Sequence, residues 1–107
     1  MKTEKDLYRY LKKAAAAAHV LCEKLHAESI NGWPDVELVH NGHTVRVELK
    51  TPAKTGRLSP IQKVTIARLT DQGAEVYVIN SKKEADLIIT GLVDRRPAPS
   101  YRPLIRP

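Results

Sequence analysis

The chain has 107 residues, 42% of them hydrophobic, with a formal net charge of +6, one cysteine, one tryptophan and no phenylalanine. This length suits a single domain with one modest, mainly aliphatic core. The lone Cys22 excludes an internal disulfide framework and fits a reducing interior, and neither a signal peptide nor a membrane span is visible, the Ala14 to Ala18 run being short and set inside a helical pattern. The positive balance favours a polyanionic partner through counterion release, but charge alone does not establish nucleic-acid binding.

Thr3 followed by Glu4, Lys5 and Asp6 reads as an N-cap with acids in the first turn. Leu7, Tyr10, Leu11, Ala14, Ala15 and Ala18 then recur at helical spacing, so a first helix is predicted from Glu4 to Ala18. Val20 to His26 alternates as a strand, and Asn31-Gly32 and Pro34 break the chain after it. Val36 to His40 and His43 to Leu49 read as strands joined by Asn41-Gly42, the signal of a two-residue type I′ turn. Thr51 to Arg57 is a basic loop rich in breakers. Ser59 then serves as N-cap with Pro60 at the first helical position, and Ile61, Val64, Ile66, Ala67 and Leu69 give the second helix an apolar side. Gly73 ends that helix, Ala74 to Ile79 is a nearly continuous apolar strand expected to be buried, and Lys82 to Ile89 reads as a short final helix. From Asp94 the chain is rich in Pro and Arg without a core pattern, giving a domain at 1–93 and a tail at 94–107 that is extended or ordered by a partner. The order is αβββαβα, with the last strand added beside the hairpin after a helical crossover.

The tight turn fixes a register. His40 pairs with His43, and counting outward brings Val36 opposite Val47 and Asp35 opposite Glu48. Directly opposed residues lie about 4.5–5.5 Å apart at Cβ, where two like charges are destabilising unless something positive lies between them. A hard divalent cation is the obvious candidate. Alternation puts Lys50 on the face of Glu48, with Val45, Val47 and Leu49 on the other.

Pro34-Asp35, twelve intervening residues and Glu48-Leu49-Lys50 resemble the PD-(D/E)xK nuclease signature. Gly32-Trp33-Pro34-Asp35, the Val-Glu-Leu-Lys strand, the basic loop from Thr51 to Leu58, Ser59-Pro60-Ile61-Gln62 and the strand from Gly73 to Ile79 together resemble virus-type replication-repair nuclease (VRR-NUC) domains. The resemblance runs from about Glu4 to about Ala85. It implies a restriction-endonuclease-like α/β core, a mixed sheet flanked by helices, and a Mg²⁺- or Mn²⁺-dependent deoxyribonuclease. It also implies Asp35, Glu48 and the Leu49 carbonyl as metal ligands, with Glu4 completing the set and Asp6 as its alternate. The other reading of Glu4 is an acid favoured at the positive end of a helix. Lys50 would orient or deprotonate the attacking water and stabilise phosphate charge, and Gln62 would hold that water or a phosphate oxygen, unless it is an ordinary exposed helical residue.

Lys24 occupies a first-strand position where similar domains often carry a lysine, and Lys54, Arg57, Lys63 and Arg68 follow the hairpin as candidates for phosphate contact; each also reads as a surface charge. Trp33 either packs beside the proline turn or stacks on a base. His40 and His43 oppose each other but lack further ligands at structural-zinc spacings and alternate away from the acids. Stand-alone viral-type members of the resembled family are homodimers that can cut branched DNA such as four-way junctions, so the resemblance implies a homodimer, expected in the cytoplasm of a bacterium or a phage-infected host. The alternatives are a non-catalytic nucleic-acid-binding module and a nuclease subunit that needs a partner.

Overall fold

The computed structural model describes residues 3–25, 32–51 and 57–98. Helix α1 spans Glu4–Ala17, capped where the Thr3 hydroxyl accepts the Asp6 N–H at 3.0 Å. Its stripe of Leu7, Leu11 and Ala15 is fully buried. The helix stops one residue short of Ala18, and Val20 turns its N–H back to the Ala15 carbonyl, so strand β1 is confined to Leu21–Lys24. The far end of the predicted first strand, His26, lies outside the described residues.

Strands β2 (Val36–His40) and β3 (His43–Leu49) have the predicted bounds and register, from His40 opposite His43 to Val36 opposite Val47. Asn41 and Gly42 both have positive φ, 49° and 83°, as a type I′ turn requires. Helix α2 (Pro60–Asp71) crosses over to β4 (Glu75–Ile79), which lies parallel to β3. The sheet is mixed, in the order β1-β2-β3-β4. Val36, Leu38, Val45, Val47 and Leu49 share one face and pack with α1 and with Ala85, Ile89 and Leu92 of α3 (Lys82–Val93) to form the core.

Three expectations need correction. Strand β4 is an edge strand, and of its residues only Ile79 is buried, because β3 covers one side alone. The apolar side predicted for α2 is only partly covered: Ile66 and Leu69 are half-buried, Ala67 is exposed, Ile61 is 49% and Val64 54% exposed, and Thr65 is enclosed. The reason is the rotation of the helix: its inward side carries Gln62, which reaches Glu48, with Thr65, Ile66 and Leu69, and this leaves Ile61 and Val64 toward solvent. Helix α3 continues a full turn past Ile89 because Leu92 reaches the core.

The Pro- and Arg-rich segment starts on the body of the fold. Arg95 pairs with Glu75 at 2.7 Å, His43 Nε2 donates to the Arg96 carbonyl at 2.7 Å, and the Ala98 N–H donates to the Asn41 carbonyl at 2.7 Å. Residues 99–107 lie outside the described part. Among the described residues no helix is long and apolar enough to cross a membrane.

Candidate active site

The acids are brought together at the end of the hairpin away from its turn. Asp35 lies just before β2, where its carbonyl accepts the Leu25 N–H at 2.8 Å and its Oδ2 accepts the Leu49 N–H at 3.1 Å. These bonds hold it against both neighbouring strands. Glu48 stands beside it, only 2% exposed. Desolvation, with the Asp35 charge next in importance, pushes the Glu48 carboxyl up to about 7; Lys50 partly offsets this and Glu4 adds to it.

Gln62 organises this face. Its Oε1 accepts from Lys50 Nζ and from the Ser59 backbone N–H, both at 2.9 Å, while its Nε2 donates to Glu48 Oε2 at 2.8 Å. Two donors on one side and a carboxylate on the other fix the orientation of the amide. The Ser59 hydroxyl in turn accepts the Gln62 N–H at 3.2 Å, which completes a capping box. Gln62 is therefore both the N3 partner of the Ser59 cap and the clamp on Glu48. The sequence signal for this double role is Ser-x-x-Gln at the helix start, which marks the cap but not its second partner. Lys50 Nζ also lies 3.4 Å from Glu48 Oε2 and is largely enclosed.

The second oxygen, Glu48 Oε1, is buried with no hydrogen-bond partner. A buried carboxylate oxygen left bare beside a second carboxylate is costly unless a cation reaches it. The oxygens of Asp35 and Glu48 and the nearby Leu49 carbonyl are the hard donors that Mg²⁺ or Mn²⁺ selects, so these residues fit such an ion. Among the described residues, no three His, Cys, Asp or Glu side chains are grouped closely enough to hold a metal by themselves. Glu4 instead lies across a cleft of about 500 Å³ that opens on Asp35 and Leu49.

Lys24 lines that cleft too. It pairs with Val36, so its side chain lies on the α1 side of the sheet, its ammonium 5.4 Å from the centre of the Tyr8 ring. Of the other predicted phosphate contacts, Arg57, Lys63 and Arg68 are exposed, and Lys54 lies outside the described residues. Lys63 adjoins Gln62, but Arg68 is about 140° further round the helix from Lys63 and about one and two-thirds turns beyond Gln62, so the helix does not gather them on one side. Trp33 receives the Arg46 guanidinium at 5.7 Å, and Arg46 also approaches Glu37 at 3.6 Å. The histidines serve the backbone: His40 Nδ1 meets the His19 carbonyl at 3.1 Å, and His43 meets Arg96. The sequence reading missed Lys5, Tyr8 and Arg9, which line the cleft with Glu4. Tyr8 follows Glu4, and Arg9 follows Lys5, at the four-residue spacing that makes helix neighbours, which was the available signal.

Gly32 sets the approach of α2 to this site. It has φ +80°, and a Cβ there would stand 2.7 Å from the Ile61 carbonyl oxygen and 2.8 Å from Thr65 Oγ1. The loop that carries Asp35 and the helix that carries Gln62 thus meet backbone to backbone.

No protein-family model and no curated protein sequence matches the chain. A solved structure titled "VRR_NUC domain" is similar to it, with a TM-score of 0.73 and 27% sequence identity, over 84% of this chain and 97% of that one.

Proposed function

Starting from the chain as a VRR-NUC domain, a nuclease-type domain, we propose that it hydrolyses DNA phosphodiester bonds with Mg²⁺ or Mn²⁺ held by Asp35, Glu48 and the Leu49 carbonyl. The observation that carries this reading is the bare, buried Glu48 Oε1 beside Asp35. A divalent ion at that point would neutralise phosphate charge and make water acidic enough to be a nucleophile near neutral pH. The remaining roles belong to side chains already aligned. Lys50 brings a positive charge, largely screened from solvent, to the phosphate oxygens and to the attacking water. Gln62 keeps Lys50 and Glu48 in register, so that Glu48 presents Oε1 and not Oε2. Glu4 supports the site from the far wall of the cleft, and Lys24, Lys54, Arg57, Lys63 and Arg68 contribute phosphate contacts around it.

The preferred substrate in this reading is branched DNA, cut by a homodimer. Two sites related by a two-fold axis suit the two strands of a junction. The exposed Ile61 and Val64 on α2 support a protein contact close to the site. Residues 1–93 form the catalytic unit and 94–107 its appendage, and the protein acts in the cytoplasm of a bacterium or phage-infected cell.

The test is to incubate the purified protein with four-way-junction, flap, single-stranded and linear duplex DNA in Mg²⁺, Mn²⁺ or EDTA, alongside Asp35→Asn and Glu48→Ala. Expected is metal-dependent cutting, strongest on the junction and lost in both variants. Binding without cutting on every substrate would refute an autonomous nuclease in favour of a binding module or a partner-dependent subunit. Light scattering of the wild type and of Val64→Glu tests the dimer, which the substitution should dissociate.

A further inference from the structure

Across the sheet from Gln62, the first two turns of α1 face the ends of β1 and β3 over the cleft of about 500 Å³ that opens on Asp35. Two of its lining residues, Glu4 and Asp35, are acids. Three, Lys5, Arg9 and Lys24, are cations, and nothing in the packing of the fold calls for them. Lys5, Arg9 and Lys24 are all exposed. The Arg9–Asp6 contact is 4.0 Å long and solvent-exposed on both sides, a kind of pair that contributes little to stability. Between the cations lies Tyr8, half-buried, with the Lys24 ammonium 5.4 Å and the Lys12 ammonium 5.8 Å from its ring centre. Lys12 also donates to the Tyr8 hydroxyl at 3.4 Å. An aromatic floor that collects ammonium groups at the mouth of a carboxylate site holds positive charge where a polyanion would pass.

We propose that this cleft binds the DNA backbone next to the cleaved bond, with Lys5, Arg9 and Lys24 each gripping one of the neighbouring phosphates around the Tyr8 ring. This rests on the nuclease reading and extends it. The strand passes from α2, across Asp35, Glu48 and Lys50, into the α1 cleft, so that α1 is part of the substrate-binding surface as well as a core helix. Lys5 and Arg9 then act in binding, with no part in bond cleavage.

Fluorescence anisotropy tests this with a labelled four-way junction and its linear duplex over a range of salt concentrations. Ca²⁺ replaces Mg²⁺, and the DNA is checked for integrity on a gel. Each phosphate contact removed should lower the slope of log affinity against log salt by about 0.9 on duplex, so Lys5→Ala/Arg9→Ala should lose about twice that. Lys5→Arg should keep the wild-type slope, and so should Lys83→Ala, an exposed lysine on α3. In cleavage assays the double variant should raise KM and leave kcat near wild type. A wild-type slope in the double variant, or an equal drop in Lys83→Ala, would overturn the cleft assignment while the nuclease reading stood. Cutting that fails in Mg²⁺ and Mn²⁺ with the slopes behaving as expected would overturn the nuclease reading and keep the cleft. A wild-type protein that binds no DNA would overturn both.

Discussion

Replacing Glu48 with glutamine should make the metal-free fold gain stability on the wild type as pH rises, although it removes the central residue of the site. The Glu48 carboxyl is displaced from 4.5 to about 7, mostly by burial. At about 1.4 kcal/mol per pH unit, that displacement corresponds to about 3 kcal/mol of folding free energy. The folded-state value is raised above the unfolded one, so the folded protein holds the extra proton in the interval between them. Below about 4.5 the group is protonated in both states and costs nothing; between about 4.5 and about 7 only the unfolded chain ionises, so stability falls across that interval and levels off above it, where the folded state buries the charge. Glutamine does not titrate. It keeps an oxygen for Gln62 and Lys50 but places an amide N–H where Oε1 finds no partner, a constant cost of about 1–3 kcal/mol. That constant cancels when the variant is compared with wild type at two pH values. Urea unfolding in EDTA from pH 4.5 to about pH 8 should therefore show the variant gaining about 3 kcal/mol on the wild type across the range. A difference that stays flat with pH would refute the buried, cation-deficient carboxyl on which the site rests. Added Mg²⁺ should restore stability to the wild type at the alkaline end and leave the variant unchanged.

Other perturbations separate the roles of the neighbouring residues. Lys50→Ala should lower single-turnover cleavage far more than metal affinity, measured by titration before the reaction; an equal loss of metal binding would mean that its role is misassigned. Gln62→Glu preserves a capping-box residue but sets a third carboxylate against Glu48, so helix α2 should survive by circular dichroism while metal-free stability at neutral pH declines. Ser59→Ala should cost about 1 kcal/mol of stability and, by loosening Gln62, lower kcat as well; an unchanged kcat would separate the cap from the clamp. Gly32→Ala meets both a left-handed backbone and the Ile61 carbonyl, and should cost about 1–3 kcal/mol in a thermal melt.

The parts of the structure that were legible in the sequence are those fixed by local arithmetic. Asn41-Gly42 permits one tight turn, and from it the register, the shared face of Glu48 and Lys50, and the meeting of Asp35 with Glu48 follow by counting. Thr3 and Ser59 announced their helices as caps. What counting could not supply was which surface each element would meet. Ile61 and Val64 are as apolar as core residues, but α2 turns Gln62, Thr65, Ile66 and Leu69 inward, so they remain in solvent. Val76 and Val78 made β4 look buried, but the strand lies at the edge of the sheet and only Ile79 is enclosed. The start of the tail carried no periodicity because its anchors are backbone carbonyls and one ion pair, Arg95 with Glu75, twenty residues apart. Lys5 and Arg9 carry no sequence pattern that marks them out, and only the fold places them on the wall of a cleft with Asp35.

The hairpin also sets what lengths this site tolerates. The twelve residues between Asp35 and Glu48 are five cross-strand pairs plus the two residues of the turn. Adding a residue to each strand lengthens both arms together, so any even gap closed by a two-residue turn returns the acids to opposition. A single insertion does not. It would carry Glu48 to the core face and a valine into its place, unless a bulge absorbed the extra residue. The constraint on this signature is therefore one of parity, and relatives of this chain are expected to vary the gap in steps of two, with odd gaps marked by a bulge or a longer turn.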